Sequence, residues 1–188
     1  MNLTNVEKLT NNKFLNLYEF TYEDKQGSYP YYVASRRESD DLSAVTHNYN
    51  SDAVTIVPIT KDGNIILIKQ FRQPLNTEVY ELPSGLIDSG EDIISAVSRE
   101  LQEETGYGVE KIMLQTPASP LSSGMSDELS SVVVVQATDE KSDVKLEREE
   151  EIEVVVMDLK DKEHLKQFLT STDIMISMIC RLILSSYL

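Results

Sequence analysis

The chain has 188 residues, of which 17 are basic and 32 acidic, so its formal charge is −15. This length is typical of one domain with a full-sized hydrophobic core. The negative charge argues against nucleic acids and anionic membranes as partners, and a phosphorylated ligand would bind only where arginines or a metal ion reverse the local field.

Paired strands are predicted in the first part of the chain. Lys13 to Tyr22 and Ser28 to Ser35 are typical of two strands joined by a glycine-containing turn. The β-branched runs Ala53 to Ile59 and Ile65 to Phe71 flank a second turn of that kind, which is a strong hairpin signal. After a break that contains proline and glycine, a helix is expected from about Glu91 to Thr105.

The second half of the chain is predicted to add strands and then helices. The strands are expected at Lys111 to Thr116, Ser131 to Ala137 and Ile152 to Met157, and the helices at about Lys160 to Leu169 and Asp173 to Ser185. This order predicts an α+β fold in which a mixed β-sheet is sandwiched between helices, with an N-terminal region of antiparallel strands.

Cysteine usage and hydropathy bear on the location of the protein. The single cysteine, Cys180, excludes an internal disulfide and a Cys-based zinc site, and its apolar surroundings predict a buried side chain. The N-terminal sequence lacks the apolar segment of a secretory signal, and the longest apolar run, Ile174 to Leu184, is about half a bilayer span. We therefore expect a cytoplasmic protein with no membrane-spanning segment.

The predicted central helix places acidic residues where apolar ones would be expected. At about 100° per residue, Glu100 and Glu104 project beside Val97 on the half of the helix that faces the protein, with Glu103 next to them. Carboxylates that converge near a core repel one another unless a positive charge lies among them, and a hard divalent cation bound by oxygen ligands meets this need. The alternative is a Glu-rich helix whose side chains extend to solvent.

The segment around this helix carries a recognisable motif. From residue 85 to residue 107 the chain reads GLIDSGEDIISAVSRELQEETGY. This resembles the Nudix box, and its seven fixed identities are all present: Gly85, Glu91, Arg99, Glu100, Glu103, Glu104 and Gly106. The only departure is Tyr107, which stands where the motif has an aliphatic residue.

The resemblance implies a role for each position of the box. Ser84, just before the box, would offer its backbone carbonyl to a metal, and Glu100 and Glu104 would be direct metal ligands. Glu103 would be a further ligand or a catalytic base. Glu91 and Arg99 would form an ion pair that braces the loop against the helix, and Gly85 and Gly106 would shape the loop and the end of the helix. The implied ion is Mg²⁺, with Mn²⁺ as an alternative.

Segments before the box resemble the ADP-ribose pyrophosphatase branch of the family. The run from Lys69 to Pro74, followed by Glu81 to Gly85, is similar to the approach to the box in that branch, where an arginine at the place of Arg72 contacts substrate phosphates. Glu81 would belong to the same substrate-binding group. Arg36 or Arg37 would help to hold a dianionic diphosphate, although a basic surface pair explains them equally well.

Segments after the box extend the same resemblance. Pro120, in Ala118-Ser119-Pro120, matches the sequence that marks ADP-ribose hydrolases but lies a few residues nearer the box than usual. Glu128 resembles a family glutamate near the terminal ribose, or is part of a solvated loop tip. In the acidic run that follows, Glu150 matches a metal-binding or base glutamate of the branch, with Glu149 or Glu151 as neighbouring choices.

The resemblance also implies an assembly. Residues 1–45 would form an N-terminal strand arm that contacts a second copy, as part of the same unit as a Nudix hydrolase domain at 46–188. A homodimer is therefore expected.

The function implied is Mg²⁺-dependent hydrolysis of the pyrophosphate bond of a nucleoside diphosphate derivative, with ADP-ribose cleaved to AMP and ribose 5-phosphate. The residues expected to carry the chemistry are Glu103, Glu128 and Glu150. One alternative is the same reaction on another nucleoside diphosphate sugar or a dinucleotide, since substrate choice lies in loops outside the box. The alternative of another class is a Nudix module that senses a nucleotide without hydrolysing it, for which a degenerate box would be expected.

Overall fold

Strands dominate the first part of the chain and helices its end, in the computed structural model, which describes residues 1–142 and 151–188. The strands are β1 (Asn2–Lys8), β2 (Asn16–Asp24), β3 (Gly27–Ser35), β4 (Ala53–Ile59), β5 (Asn64–Arg72), β6 (Thr77–Glu81), β7 (Ser84–Leu86), β8 (Tyr107–Gln115), β9 (Ser119–Pro120), β10 (Leu129–Lys141) and β11 (Ile152–Asp158). The helices are α1 (Ser43–Thr46), α2 (Ile93–Thr105), α3 (Lys162–Thr170) and α4 (Met178–Ser185).

Residues 1–53 and 117–130 form one compact unit. Its strands β1, β2 and β3 make an antiparallel sheet, and Tyr18, Phe20 and Val33 alternate on the buried face, where they pack with Leu42. The predicted hairpin of β2 and β3 is confirmed, whereas β1 was not predicted from the sequence, because its residues are mostly polar and exposed. The predicted arm at residues 1–45 stays a prediction.

Residues 54–116 and 131–188 form the second unit, which is built on a sheet with the strand order β11-β5-β4-β10-β8. Strand β6 pairs with β5, and β7 pairs with β4. On one face of the sheet, α2 packs against strand residues in a cluster that comprises Val54, Ile56, Ala96, Val97, Leu101, Val133 and Val135. On the other face, α3 and α4 pack against residues that include Val57, Ile65, Leu67 and Met157. The predicted α+β fold, with a sheet between helices, is confirmed.

The bounds of all three predicted helices differ from the predictions, and α3 begins at Lys162 rather than Lys160, after its N-cap Asp161. The other two differences also have local reasons. Helix α2 begins two residues later than expected, because the Asp92 carboxylate caps it by accepting hydrogen bonds from the backbone N–H groups of Ile94 and Ser95. Helix α4 begins at Met178 rather than Asp173. The residues before it are extended, and the backbone of Tyr80 in β6 bonds to those of Met175 and Ser177.

The burial of the cysteine and the length of the helices bear on two further expectations. The Cys180 side chain is buried, as predicted. No helix within 1–142 or 151–188 combines the length and the apolar character needed to cross a bilayer.

Candidate active site

Helix α2 holds the acidic residues of the box in a fixed orientation. Its apolar side, with Ala96, Val97 and Leu101 fully buried, fixes its rotation against the sheet. Gly106 ends the helix at φ +78° and donates its backbone N–H to the Gln102 carbonyl at 2.9 Å, a conformation that suits glycine. The carboxylates of the helix are therefore carried by an element whose two ends and buried side are all constrained.

Arg99 is the centre of the charge network on this helix. Its Nε and Nη2 donate to the two carboxylate oxygens of Glu91, at 3.0 and 2.8 Å, which is a bidentate pair between loop and helix. Its Nη1 also donates to Glu100 at 2.6 Å and to Glu103 at 3.3 Å. The hydrogen bonds that Arg99 donates to Glu91, and after them the one to Glu100, raise the pKa of Arg99, and the Arg99 guanidinium in turn lowers the pKa of Glu91.

The Glu100 carboxylate lies directly against the backbone of Gly85. A Cβ added to Gly85 would overlap the carboxylate carbon and both oxygens of Glu100. Glycine at this position is therefore required by close approach rather than by its own backbone angles. The first residue of the box, Gly85, is thus in direct contact with helix α2 through the Glu100 carboxylate.

Glu104 is almost completely buried, with 4% of its surface exposed. Its Oε2 accepts a hydrogen bond of 3.0 Å from the backbone N–H of Ser84, so the carboxylate lies beside the residue whose carbonyl was predicted to bind metal. Glu103 is more open, with 41% of its side chain exposed. The structure therefore brings Glu100, Glu103, Glu104, Ser84 and Gly85 into one region.

The donor chemistry of this region fits a hard cation. Carboxylate and peptide oxygens are the ligands that Mg²⁺ and similar ions prefer. The guanidinium of Arg99 makes short contacts with three carboxylates, those of Glu91, Glu100 and Glu103, and lies 4.0 Å from a fourth, Asp88, so it neutralises them only in part. Within the described ranges, no three Asp, Glu, His or Cys side chains converge closely enough to enclose an ion. In this arrangement Glu100 and Glu103 are turned to Arg99.

Two predicted substrate residues of the second unit are paired with each other. Arg72, at the end of β5, donates from Nε to Oε2 of Glu81 at 2.5 Å. Glu81 is at the end of β6, and the strand register places it opposite Ile68. The remaining guanidinium nitrogens of Arg72 make no hydrogen bond within the described part of the chain, which leaves them able to bind an anion.

In the first unit, the structure separates the two adjacent arginines that the sequence could not distinguish. The Arg37 side chain is 90% buried, and its Nε and Nη2 donate to one oxygen of Asp52, at 3.1 and 2.6 Å. The other Asp52 oxygen accepts from the backbone N–H of Leu129. Arg36 is 46% exposed and lies 3.8 Å from the Glu128 carboxylate. Arg37 thus braces the unit, and Arg36 is the arginine that is open to a ligand.

The loop that carries Glu128 is fixed to strand β3 within the same unit. The Tyr31 hydroxyl donates to the Gly124 carbonyl at 2.6 Å, and the backbone N–H of Ala34 donates to the Met125 carbonyl at 2.9 Å. Pro120 is exposed and pairs with Leu129 in the short ladder of β9 and β10. Glu128 is therefore presented by an ordered loop rather than by an irregular tip.

One predicted residue lies outside the described part of the chain. Glu150, with its neighbour Glu149, falls in the segment 143–150, and Glu151 is exposed at the start of the described remainder. His47 and His164 are both exposed.

Sequence reasoning missed two polar residues that the structure places at central positions. Asp52 orients Arg37, but it is 15 positions away in the chain, and no spacing rule connects the two. Gln70 is 8% exposed, and its Oε1 has no hydrogen-bond partner among the described residues. The sequence signal for Gln70 was its place in the run from Lys69 to Pro74, two residues before Arg72.

Comparisons with known proteins agree on one family. The family model described as the NUDIX domain matches residues 50–174. The chain is similar to the ADP-ribose pyrophosphatase of Bacillus subtilis (strain 168), with 34% identity over 158 residues that cover 82% of this chain and 77% of the relative. It is also similar to the ADP-sugar pyrophosphatase of Mus musculus, with 32% identity over 138 residues that cover 71% of this chain and 60% of the relative.

A solved structure supports the fold. The crystal structure of an ADP compounds hydrolase superimposes with a TM-score of 0.70, covering 92% of this chain and 84% of that one. The two sequences are 23% identical over the match, so the likeness concerns the fold alone.

Proposed function

Because this chain belongs to the Nudix hydrolase family, in its ADP-ribose pyrophosphatase-like branch, we propose that it hydrolyses ADP-ribose to AMP and ribose 5-phosphate. The observation that carries the proposal is the intact acidic helix, on which Glu100 packs against Gly85 and Glu104 against the Ser84 peptide. The name of the Bacillus subtilis relative supports the substrate.

Nudix hydrolases use a divalent metal, and we propose Mg²⁺ for this chain. Glu100, Glu104 and the Ser84 carbonyl would hold it, with Glu103 as a further ligand. When bound, the ion neutralises phosphate charge and lowers the pKa of a coordinated water. Arg99 holds the carboxylates of Glu100 and Glu103 close together, at the place where the ion would bind.

The base that takes the proton of the attacking water is proposed from the remaining carboxylates. Glu103 is open to solvent and close to the other two glutamates of α2, which suits a proton acceptor. Glu128 and Glu150 stay candidates on the basis of the sequence resemblance. In each case the water oxygen bonds to phosphorus, the phosphoanhydride bond breaks, and the carboxylate holds the proton.

Substrate binding is proposed for the residues that the sequence resemblance singled out, each taken within its own unit. In the second unit, the nitrogens of Arg72 that Glu81 does not engage are available to a phosphate oxygen. In the first unit, Arg36, Glu128 and Pro120 are exposed or half-buried on one ordered region, as expected for residues that contact a ligand. Arg37 has a structural partner, which supports Arg36 over Arg37 for this role.

We also propose a homodimer that forms through the N-terminal arm. Large apolar side chains are exposed in this region, among them Phe14, Leu15 and Tyr32, and a second copy could cover them. The cytoplasmic location stays a prediction.

The activity proposal is tested with a substrate panel. Release of the nucleoside monophosphate, which is GMP from GDP-mannose and AMP from ADP-ribose and ADP-glucose, is measured together with cleavage of diadenosine polyphosphates, with and without Mg²⁺. Metal-dependent release that is fastest from ADP-ribose is expected. A preference for ADP-glucose would favour the second candidate, an ADP-sugar pyrophosphatase, which the mouse relative supports. If no member of the panel is hydrolysed but ADP-ribose still raises Tm, the result would instead indicate a nucleotide-sensing module.

A variant tests the metal role of Glu104 in the same assay. Glu104→Gln keeps the shape of the side chain but removes the charge, so turnover should be abolished while the protein still folds. A loss of less than about tenfold in kcat, about 1.4 kcal/mol of barrier, would mean that Glu104 is not a direct metal ligand.

A further inference from the structure

Gln70 is a buried polar residue in the middle of strand β5. It is 92% buried, and its amide oxygen Oε1 accepts no hydrogen bond from any described residue. The strand is paired on both sides here, with Val79 of β6 and Ile152 of β11 opposite Gln70. The sheet therefore satisfies the backbone at this position but leaves the side-chain acceptor without a donor.

The strand register places Gln70 next to the ion pair of Arg72 and Glu81. Arg72 follows Gln70 by two residues on the same face of β5, and Glu81 is opposite Ile68, which precedes Gln70 by two residues. The side chains of Arg72 and Glu81 are 2.5 Å apart. Because these two residues lie on either side of Gln70 along the sheet, their ion pair runs diagonally over the Gln70 side chain. This face is opposite to the one where Ile65 and Leu67 pack with α3 and α4.

An amide oxygen without a partner destabilises the folded protein, because burial removes its hydrogen bonds to water. Buried acceptors of this kind are rare, and one that lies beside a charged pair at a proposed ligand site calls for a donor from outside the chain. An apolar residue of similar length would fit the neighbouring Val79 and Ile152 better.

We propose that Gln70 is a binding residue, whose amide oxygen accepts a hydrogen bond from an O–H donor of the loaded enzyme. Two donors share this chemistry: a sugar hydroxyl of the diphosphate substrate, and a water bound to the metal. The proposal rests on the proposed function and adds to it a polar contact that stands beside Arg72. Arg72 would bind phosphate charge, and Gln70 would orient a neutral hydroxyl.

The test compares Gln70→Met with wild type and with a matched control, Gln136→Met. Methionine preserves length and removes the acceptor. Gln136 is a half-buried glutamine of β10 whose Nε2 already donates to Glu110 at 2.7 Å, so it has no need of a ligand. The measurements are Tm without ligand, KM and kcat for ADP-ribose, and the Mg²⁺ concentration that gives half-maximal rate. Gln70→Leu serves as a second variant if the methionine variant does not fold.

The expected signature combines higher stability with weaker binding. Gln70→Met should raise the ligand-free Tm by about 2–4 °C, because it removes an unsatisfied buried group. It should also raise KM by about threefold to tenfold with kcat little changed, if the donor is a sugar hydroxyl. If the donor is a metal-bound water, the half-maximal Mg²⁺ concentration rises instead. Gln136→Met should not raise Tm and should leave the kinetic constants at wild-type values.

Other outcomes separate the two proposals. An unchanged or lower Tm for Gln70→Met, or a KM and Mg²⁺ dependence equal to those of wild type, overturns the role of Gln70 while the proposed function stands. Wild-type protein that hydrolyses no member of the panel refutes the proposed function. In that case ADP-ribose-induced stabilisation is compared, and its equal size in wild type and Gln70→Met overturns the inference.

Discussion

Replacing Gly85 by alanine should disable the site and leave the fold intact. The added Cβ would lie about 1 Å inside the 3.0 Å limit that real Cβ contacts respect, and the atoms it meets are the carboxylate atoms of Glu100. These atoms are the end of a flexible side chain, so they can move away at little cost in stability. The move of about 1 Å is nevertheless enough to reduce catalysis by about 10²-fold, since catalytic groups tolerate little displacement.

The assay pairs AMP release with thermal unfolding, and Gly90→Ala is the control. Gly90 lies in the same loop at φ +81°, where a Cβ would meet no atom within 4 Å. Its replacement should cost about 1 kcal/mol of left-handed backbone strain and lower Tm by about 2–4 °C, with activity preserved. The two glycines should therefore give opposite results. Gly85→Ala activity within threefold of wild type would refute the reasoning.

Three other changes have defined outcomes. Ionised Glu91, whose pKa Arg99 holds below its ordinary 4.5, stabilises the fold above that value, and this contribution is lost as the pH falls through the lowered pKa. Urea unfolding should therefore show Glu91→Gln to be less stable than wild type at pH 7 and less sensitive to acid, and parallel pH profiles would contradict this. Arg37→Ala should lower the free energy of unfolding by about 2 kcal/mol, because its hydrogen bonds to Asp52 are lost. Arg36→Ala should leave Tm unchanged and raise KM. The reverse pattern would exchange the roles of the two arginines. Burial raises the pKa of the Cys180 thiol to about 12, so iodoacetamide at pH 8 should modify unfolded protein much faster than folded protein, and equal rates would show that the thiol is accessible.

The box and its helix were accessible from the sequence because their information is local. Apolar spacing predicts the buried side of α2, and the identities of the box predict which acidic residues form the site. The bonds from Arg99 to Glu100 and Glu103 were not accessible, because they depend on how one guanidinium turns among three carboxylates.

Features that depend on contacts between residues far apart in the chain could not be predicted from the sequence. The adjacent Arg36 and Arg37 are equivalent in the sequence, and only the position of Asp52 in the folded unit distinguishes them. Strand β1 lacks apolar alternation, so its place in a sheet follows from β2 rather than from its own residues.

Alternate residues of strand β5 have different roles because they lie on opposite faces of the sheet. Ile65 and Leu67 pack into the layer formed with α3 and α4, whereas Gln70 and Arg72 lie on the opposite side of the sheet. Neighbouring residues of a strand lie on opposite faces of the sheet. Apolar substitutions at the odd positions therefore affect the hydrophobic layer beneath α3 and α4, which tolerates repacking. Gln70 and Arg72, at the end of the strand, can then change without disturbing that layer, so ligand selectivity and stability of the sheet are separated on one short stretch of chain.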